Sequence, residues 1–443
     1  MVREPGLLII DSSRIRRLSK EGFWILLGQA VAVLGALFGV RLLTELLNPS
    51  AYGELALGLT AATLVNQTLL GPLSTGITRF YAPELERGGL GSYFKAAGRL
   101  VFSATFVILA LTALLVFGLL AAGRPGWAAV SAAAFIFAIL SGYNAILNGI
   151  QNAARQRSIV ALHQGMEPWV RFLAAAGFIL WLSSTSVAAL AGFSVGLVFI
   201  LVSQAWFFRK IIRRDVSAEN HDRSFQLRRE IWRFSWPVSV FGIFTWLQFV
   251  SDRWALEIFA TTEAVGFYAA LFQLGYYPMS IATGAAVQFL APIYYQRAGD
   301  ASDSERNAFV SRLSRRFTAL ALGVTGIVFL AGLLLHARIF RIFVAAEYAS
   351  VSYLLPWMLL GGGIFAAGQT IALNLMSQMK TLRMTAAKIV TAVVGTILNF
   401  AGAYWYGTTG VVTAGVFFAA FYLIWMIVLE NKKGEKSMER TTA

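Results

Sequence analysis

Long apolar runs separated by short polar breaks follow one another along almost the whole chain. A hydrocarbon layer of ~30 Å takes about 20 residues of helix per crossing. On that measure the runs predict twelve spans, near 23–47, 55–78, 100–120, 127–150, 160–182, 187–208, 234–259, 264–290, 317–336, 350–375, 389–406 and 410–429. A β-barrel would instead show short segments of alternating polarity. The expected fold class is therefore all-α integral membrane, with about 12 transmembrane helices.

Composition agrees, with 57% hydrophobic and only 13% charged residues, against roughly a quarter charged in soluble domains. The net charge of +15 would suggest nucleic acid in a soluble protein, but its distribution carries another message. The N-terminal segment, the even-numbered connectors and the C-terminal tail hold 31 Lys and Arg, the odd-numbered connectors hold 3, and only Arg41, Arg171 and Arg253 fall inside spans. That asymmetry predicts a multi-pass protein of the cell's inner (cytoplasmic) membrane with both termini cytoplasmic, and no nucleic-acid partner. The chain has no Cys, which excludes disulfides, thiolate metal sites and thiol nucleophiles.

Three pairs of segments resemble one another in the same order. RLLTELLNPSAYG from Arg41 matches RWALEIFATTEAVG from Arg253, TGITRFYAP (75–83) matches TGAAVQFLAP (283–292), and LNGIQNAARQR (147–157) matches LNLMSQMKTLR (373–383). The basic stretch RKIIRRDVSAENHDRSFQLRRE (209–230) lies between the two sets. These features divide the chain into an N-terminal segment (1–22), an N-lobe (23–208), a linker (209–233), a C-lobe (234–430) and a tail (431–443). An even number of spans per half makes the lobes parallel repeats about an axis along the membrane normal, a plan that places a site between them.

Ionised residues at mid-bilayer cost roughly 2.5–3.5 kcal/mol each and persist where water, a partner or a ligand meets them. Arg41 with Glu45, Glu167 with Arg171, and Arg253 with Glu257 are spaced i,i+4, so each pair shares a helical face. Two readings fit: local neutralisation for insertion, or a charged cavity wall. Polar residues add to the second. Thr60, Thr63 and Gln67, with Asn66 beside them, stripe the second span; Thr245, Gln248 and Asp252 stripe the seventh; Gln273, Tyr277 and Ser280 stripe the eighth. Trp246 and Phe249 are placed to stack on a sugar if they point inward. Gly71–Pro72 and Pro278 interrupt the same helices and allow bends. The candidate substrate-binding set is Arg41, Arg79, Arg253, Asn66, Gln248, Gln273, Trp246 and Arg171, and the candidate ion-pair or coupling set is Glu45, Glu167, Asp252 and Glu257. No HExxH, P-loop or nucleophile elbow stands where it could work, so a transporter is favoured over an enzyme, with no catalytic or metal-binding residue.

GQAVAVLGALFGVRLLTELLNPSAYGELAL (28–57), TGITRFYAP and TILNFAGAYWYGTTGVVTAG (396–415) together resemble the polysaccharide transporters, the Wzx-type lipid-linked oligosaccharide flippases of the MOP superfamily. The resemblance implies two six-helix lobes around a V-shaped cavity lined by the first, second, seventh and eighth spans. It implies carriage of an undecaprenyl-diphosphate-linked glycan from the inner to the outer leaflet by alternating access. Arg41 and Arg79 match its motifs, and Arg253 follows as the repeat partner of Arg41; a guanidinium suits a diphosphate because it makes charge-assisted, bidentate bonds to phosphate oxygens. Implied partners are the lipid-linked glycan, membrane lipids and glycan-assembly proteins such as a polymerase, around a monomer. No cofactor is expected beyond a coupling ion, H+ or Na+. Three Arg against four acids within the spans keep a MATE-like exporter of organic cations as the alternative.

Overall fold

The computed structural model describes residues 12–214, 221–299 and 303–431, and every regular element among them is helical. Residues 1–11, the middle of the expected linker and the tail beyond Asn431 lie outside the described residues. In the first half, α1 (Ser12–Leu46) leads to a composite rod of α2 (Pro49–Val65), a π-helical turn (Asn66–Leu70) and α3 (Gly71–Glu86). After it come α4 (Leu90–Ala121), α5 (Pro125–Ala153), α6 (Arg157–Trp181) and α7 (Ser186–Arg214). The second half repeats the plan with α8 (His221–Phe259), the pair α9 (Thr262–Leu274) and α10 (Tyr276–Ala298), α11 (Ser304–Phe343), a 3-10 segment (Ala346–Leu354) running into α12 (Leu355–Ser377), and α13 (Thr381–Asn431).

Within α13 the backbone breaks at Gly407 (φ 56°, ψ −135°), a conformation only glycine adopts readily, so α13 is two rods. The described residues therefore form the twelve rods that the apolar runs predict, and eight helices are individually long and apolar enough to cross a bilayer. Helix α8 starts at His221, so helix occupies much of the stretch expected as linker.

Local chemistry sets the boundaries. The polar breaks in the duplicated motif are N-caps: Asn48 accepts from the Ala51 amide at 2.8 Å ahead of Pro49, and Thr261 accepts from the Ala264 amide at 3.1 Å. Both satisfy amides that a helix start leaves without partners. At Gly71–Pro72 the rod is not broken; the missing amide of Pro72 is absorbed by the π turn before it, a usual way for a helix to take an irregularity.

Each half packs as its own lobe, with α1 on α6 in the first and α8 on α13 in the second. The duplication is visible in single contacts. Gln204 Nε2 donates to Asn148 Oδ1 at 3.0 Å, and Asn374 Nδ2 donates to Glu430 Oε1 at 2.6 Å; the second pair lies 226 positions after the first.

The lobes meet along a seam. At the end bearing the few-charge connectors, α2 crosses α9, and the two motif glycines face each other: a Cβ on Gly53 would strike the Thr262 carbonyl oxygen, and one on Gly266 the Pro49 carbonyl oxygen. At the basic end α3, α4 and the π turn pack on α8. There Glu84, 1% exposed, holds Arg223 of the other lobe and Arg87 of its own at 2.8 Å. Burial opposes its ionisation, but the bonds and charges of Arg223 and Arg87 outweigh that and bring the Glu84 carboxyl below its ordinary range. On the other flank α1 packs on α9 and α11, and no comparable packing joins α1 to α10 among the described residues. The seam is thus open beside α10, whose Tyr277, Ser280, Ala282 and Gly284 are exposed.

Candidate functional site

A cavity of about 310 Å3 lies in the seam between the closures. The stripes of the second and eighth spans supply two of its walls: Thr60, Thr63 and Gln67 from one lobe, Gln273, Tyr277 and Ser280 from the other. Their spacing of three and four residues is what puts them on a single face. From α6 comes Arg171, and from α8 come Trp246, Phe249 and Arg253.

The two guanidinium groups belong to different lobes, and each is held by one acid and by ring faces. Arg253 Nη1 donates to the Phe249 carbonyl at 3.0 Å and to Asp252 Oδ1 at 3.1 Å, and its Cζ lies 4.3 Å from the Phe272 ring centroid. Arg171 pairs with Glu167 at 3.3 Å and has the rings of Phe172 and Phe193 each 5.0 Å away. Ring faces attract such cations by roughly 0.5–2 kcal/mol. A guanidinium carries five N–H donors, so this holding fixes orientation while leaving donors unused. Arg171 Nε and Gln273 Oε1 are buried without a protein partner, as polar atoms are where a ligand or water completes them. Trp246 Nε1 is already engaged, donating to the Thr60 carbonyl of the other lobe at 2.8 Å.

Other candidate residues lie elsewhere. Arg41 does not line the cavity: it pairs with Glu45 and donates to the carbonyls of Val344 and, at 3.1 Å, Arg341, where α11 ends. It belongs to a latch between the lobes that also includes the Ala345 amide donating to Thr44 Oγ1 at 3.1 Å and the Tyr348 hydroxyl donating to the Leu47 carbonyl at 3.0 Å. Arg79 is exposed on α3, outside the cavity lining. The i,i+4 pairing of Arg253 with Glu257 does not form. Arg253 takes its neighbour Asp252 instead, because Glu257 lies a turn closer to the end of α8, where Thr262 Oγ1 donates to it at 3.1 Å.

The polar stripe on α8 also turns away from the seam. Gln248 and Asp252 line a second, small cavity inside the C-lobe, where the Tyr268 hydroxyl donates to Asp252 Oδ2 at 2.6 Å. Helix α8 borders both cavities, so its polar face serves the lobe interior and its aromatic and Arg253 face serves the seam. Asn66, in the π turn next to Gln67, is not part of the cavity lining and donates to Ser141 Oγ at 2.7 Å. The rings of Phe172, Phe193 and Phe272 were not among the sequence candidates, since nothing separates them from ordinary apolar core residues until the fold brings Arg171 and Arg253 onto them.

The chain thus folds as two six-rod lobes around a cavity in their seam. A family model described as "Polysaccharide biosynthesis protein" matches residues 18–296, and the chain belongs to that family. No curated protein matches the chain by sequence. Solved structures with the same fold include the lipid II flippase MurJ in an inward closed conformation (TM-score 0.64, 15% identity, 93% of this chain and 86% of that one). Another is an inward-facing multidrug resistance MATE family transporter of the MOP superfamily (TM-score 0.63, 13% identity, 94% and 96% covered). A third is a MOP superfamily transporter from Pyrococcus furiosus (TM-score 0.56, 15% identity, 92% and 94% covered). The fold is shared with these flippase and transporter structures, and the chain, with eight helices long and apolar enough to cross a bilayer, is a multi-pass membrane protein.

Proposed function

We propose that this protein is a flippase that carries a lipid-linked oligosaccharide, its lipid an undecaprenyl diphosphate, across the cytoplasmic membrane by alternating access, with the basic end cytoplasmic. The observation that carries this reading is that one guanidinium from each lobe, Arg171 and Arg253, lines the same seam cavity. A diphosphate bridging them would tie the lobes together, and its charge would be matched by donors already oriented by Glu167, Asp252 and the ring faces. The open flank beside α10 gives the lipid tail a path that stays in the bilayer. Partners in this reading are the lipid-linked glycan, the surrounding lipids and the enzymes that assemble and polymerise it.

The exporter of organic cations is disfavoured by the same geometry. Glu167 and Asp252, the acids beside the cavity, are both engaged by Arg, whereas a cation site needs an acid free to meet its ligand.

The test is export of surface glycan in a cell that depends on this protein. Arg171→Ala and Arg253→Ala are each expected to lower it by about 10-fold or more, since a charge-assisted bond to phosphate is worth about 1.5–3 kcal/mol. Unchanged export by both variants at normal membrane abundance would overturn the reading.

A further inference from the structure

A second groove, of about 420 Å3, opens in the N-lobe between α5 and α6 and shares no lining residue with the seam cavity. One wall is a row on α5, Ser141, Asn144, Asn148 and Asn152, at spacings of three and four that put them on a single face. Helix α5 is otherwise apolar enough to span a bilayer. At 1.5 Å per residue the row runs about 16 Å, from mid-helix to the basic end. The facing wall on α6 is Gln164 and, one turn further in, Glu167. Helix α3 packs on α5 beside the groove: Ser74 Oγ donates to the Ala145 carbonyl at 3.3 Å, and a Cβ on Gly149 would come within 2.5 Å of Thr78 Oγ1 and 3.3 Å of Ser74 Oγ.

Interhelical bonds account for Ser141, which accepts from Asn66, and for Asn148, but not for the rest of this row. Packed amides are buried against a neighbour, yet Asn152, Gln164 and Ala145 are exposed and α5 and α6 leave the groove open between them. Asn148 is engaged, donating to Asn144 Oδ1 at 3.1 Å and accepting from Gln204, and this fixes Asn144 by its oxygen. Among the described residues the Asn144 amide nitrogen and the side chains of Asn152 and Gln164 have no protein hydrogen-bond partner. Each amide brings two donors and two lone pairs.

The chemistry selects a ligand class. The one carboxylate, Glu167, is neutralised by Arg171, and no cation lines the groove. It therefore matches neither a diphosphate nor an organic cation. Nor does it offer a ring for stacking. Amides and a hydroxyl beside the apolar surface of Ala145 and Val160 suit an uncharged, hydroxyl-rich ligand with amide groups of its own, and the volume falls within the roughly 300–1,000 Å3 of small-molecule sites. The two cavities are joined by a single ion pair: Arg171 lines the seam cavity, and Glu167, one turn away on the same face of α6, lines the groove.

We propose that this groove is a sugar subsite that takes the acetamido sugar next to the diphosphate, hydrogen-bonded by Asn144, Asn152 and Gln164. The proposal rests on the flippase reading and adds to it a division of labour: the seam holds the phosphates, and the N-lobe groove reads the sugar.

The experiment measures binding to purified protein of two probes, undecaprenyl diphosphate and undecaprenyl-diphosphate-linked N-acetylglucosamine. Asn144→Ala with Gln164→Ala is expected to weaken the glycosylated probe about 10-fold, as loss of several neutral hydrogen bonds does, and to leave the bare diphosphate lipid unchanged. Arg171→Ala is expected to weaken both. Because the chain has no cysteine, Asn152→Cys gives a measurement on otherwise intact protein: the glycosylated probe should slow its labelling by a maleimide and the bare one should not. Equal weakening of both probes by the double variant, no weakening of either, or labelling of Asn152→Cys indifferent to the sugar would overturn the subsite while leaving the flippase reading in place. Failure of the wild-type protein to bind either probe would overturn both.

Discussion

Asp252 stands beside Arg253, whereas Val40, buried, stands beside Arg41. This one difference between two copies of a motif sends the arginines to different places. Asp252 holds Arg253 at the cavity wall through both its backbone amide (2.7 Å) and its guanidinium (3.1 Å). Arg41 has no such neighbour and reaches across to the carbonyls at the end of α11, where a cation is favoured by unpaired carbonyls and the helix dipole. Arg41→Ala should therefore leave binding of undecaprenyl diphosphate within about 2-fold, while Arg253→Ala weakens it about 10-fold, by the worth of a charge-assisted bond. Titration of both variants with the same lipid checks the contrast.

Among the helices, the latch and the glycine crossing make the closed end of the seam testable. Thr44 and Ala345 touch across the lobes, so Thr44→Cys with Ala345→Cys should form a disulfide under mild oxidation. If transport requires this end to open, the oxidised protein loses transport and reductant restores it. Gly53→Val puts a side chain where the Thr262 carbonyl already sits. Overpacking of this kind costs about 1–3 kcal/mol, and the variant should both melt lower and cross-link less completely at 44 and 345. At the basic end, Glu84→Ala leaves the guanidinium of Arg223 without its main partner. It should cost about 3 kcal/mol, near the lower bound for a broken buried pair because Arg223 is 25% exposed. A carboxyl whose pKa is lowered on folding stabilises in full above its unfolded value and loses that contribution as the pH falls through the lowered native value. The wild-type melting temperature should thus fall on acidification below about pH 4.5, the ordinary value, and a Glu84→Gln variant should lack that part of the fall.

At the scale of the molecule, the two lobes are one design used twice, and each can stand as a control for the other. The equivalent contacts run in opposite directions: Gln204 donates to Asn148 and Glu430 accepts from Asn374, while the exposed Arg315 lies 3.9 Å from Glu430 and such a pair contributes little. Glu430→Gln, which keeps an acceptor oxygen for Asn374, should change thermal stability by less than about 0.5 kcal/mol, whereas Glu430→Ala, leaving the buried Asn374 amide without this acceptor, should cost about 1–3 kcal/mol.

The sequence by itself determined the class of the molecule: membrane-spanning helices in number and length, their duplication, the asymmetric placement of charge, and the polar faces of the second and eighth spans. Each of these is a local property, set by hydropathy along a helix and by a periodicity that needs no partner. Tertiary structure decided which face of an enclosed helix meets the seam. It turned Gln248 and Asp252 inward and Arg253 toward the cavity, moved Arg41 to the latch, and opened a groove on the amides of α5. Periodicity shows that a face is polar, but what that face touches depends on how twelve rods pack around it, and for helices enclosed on several sides the chain alone carries no signal of which side holds water.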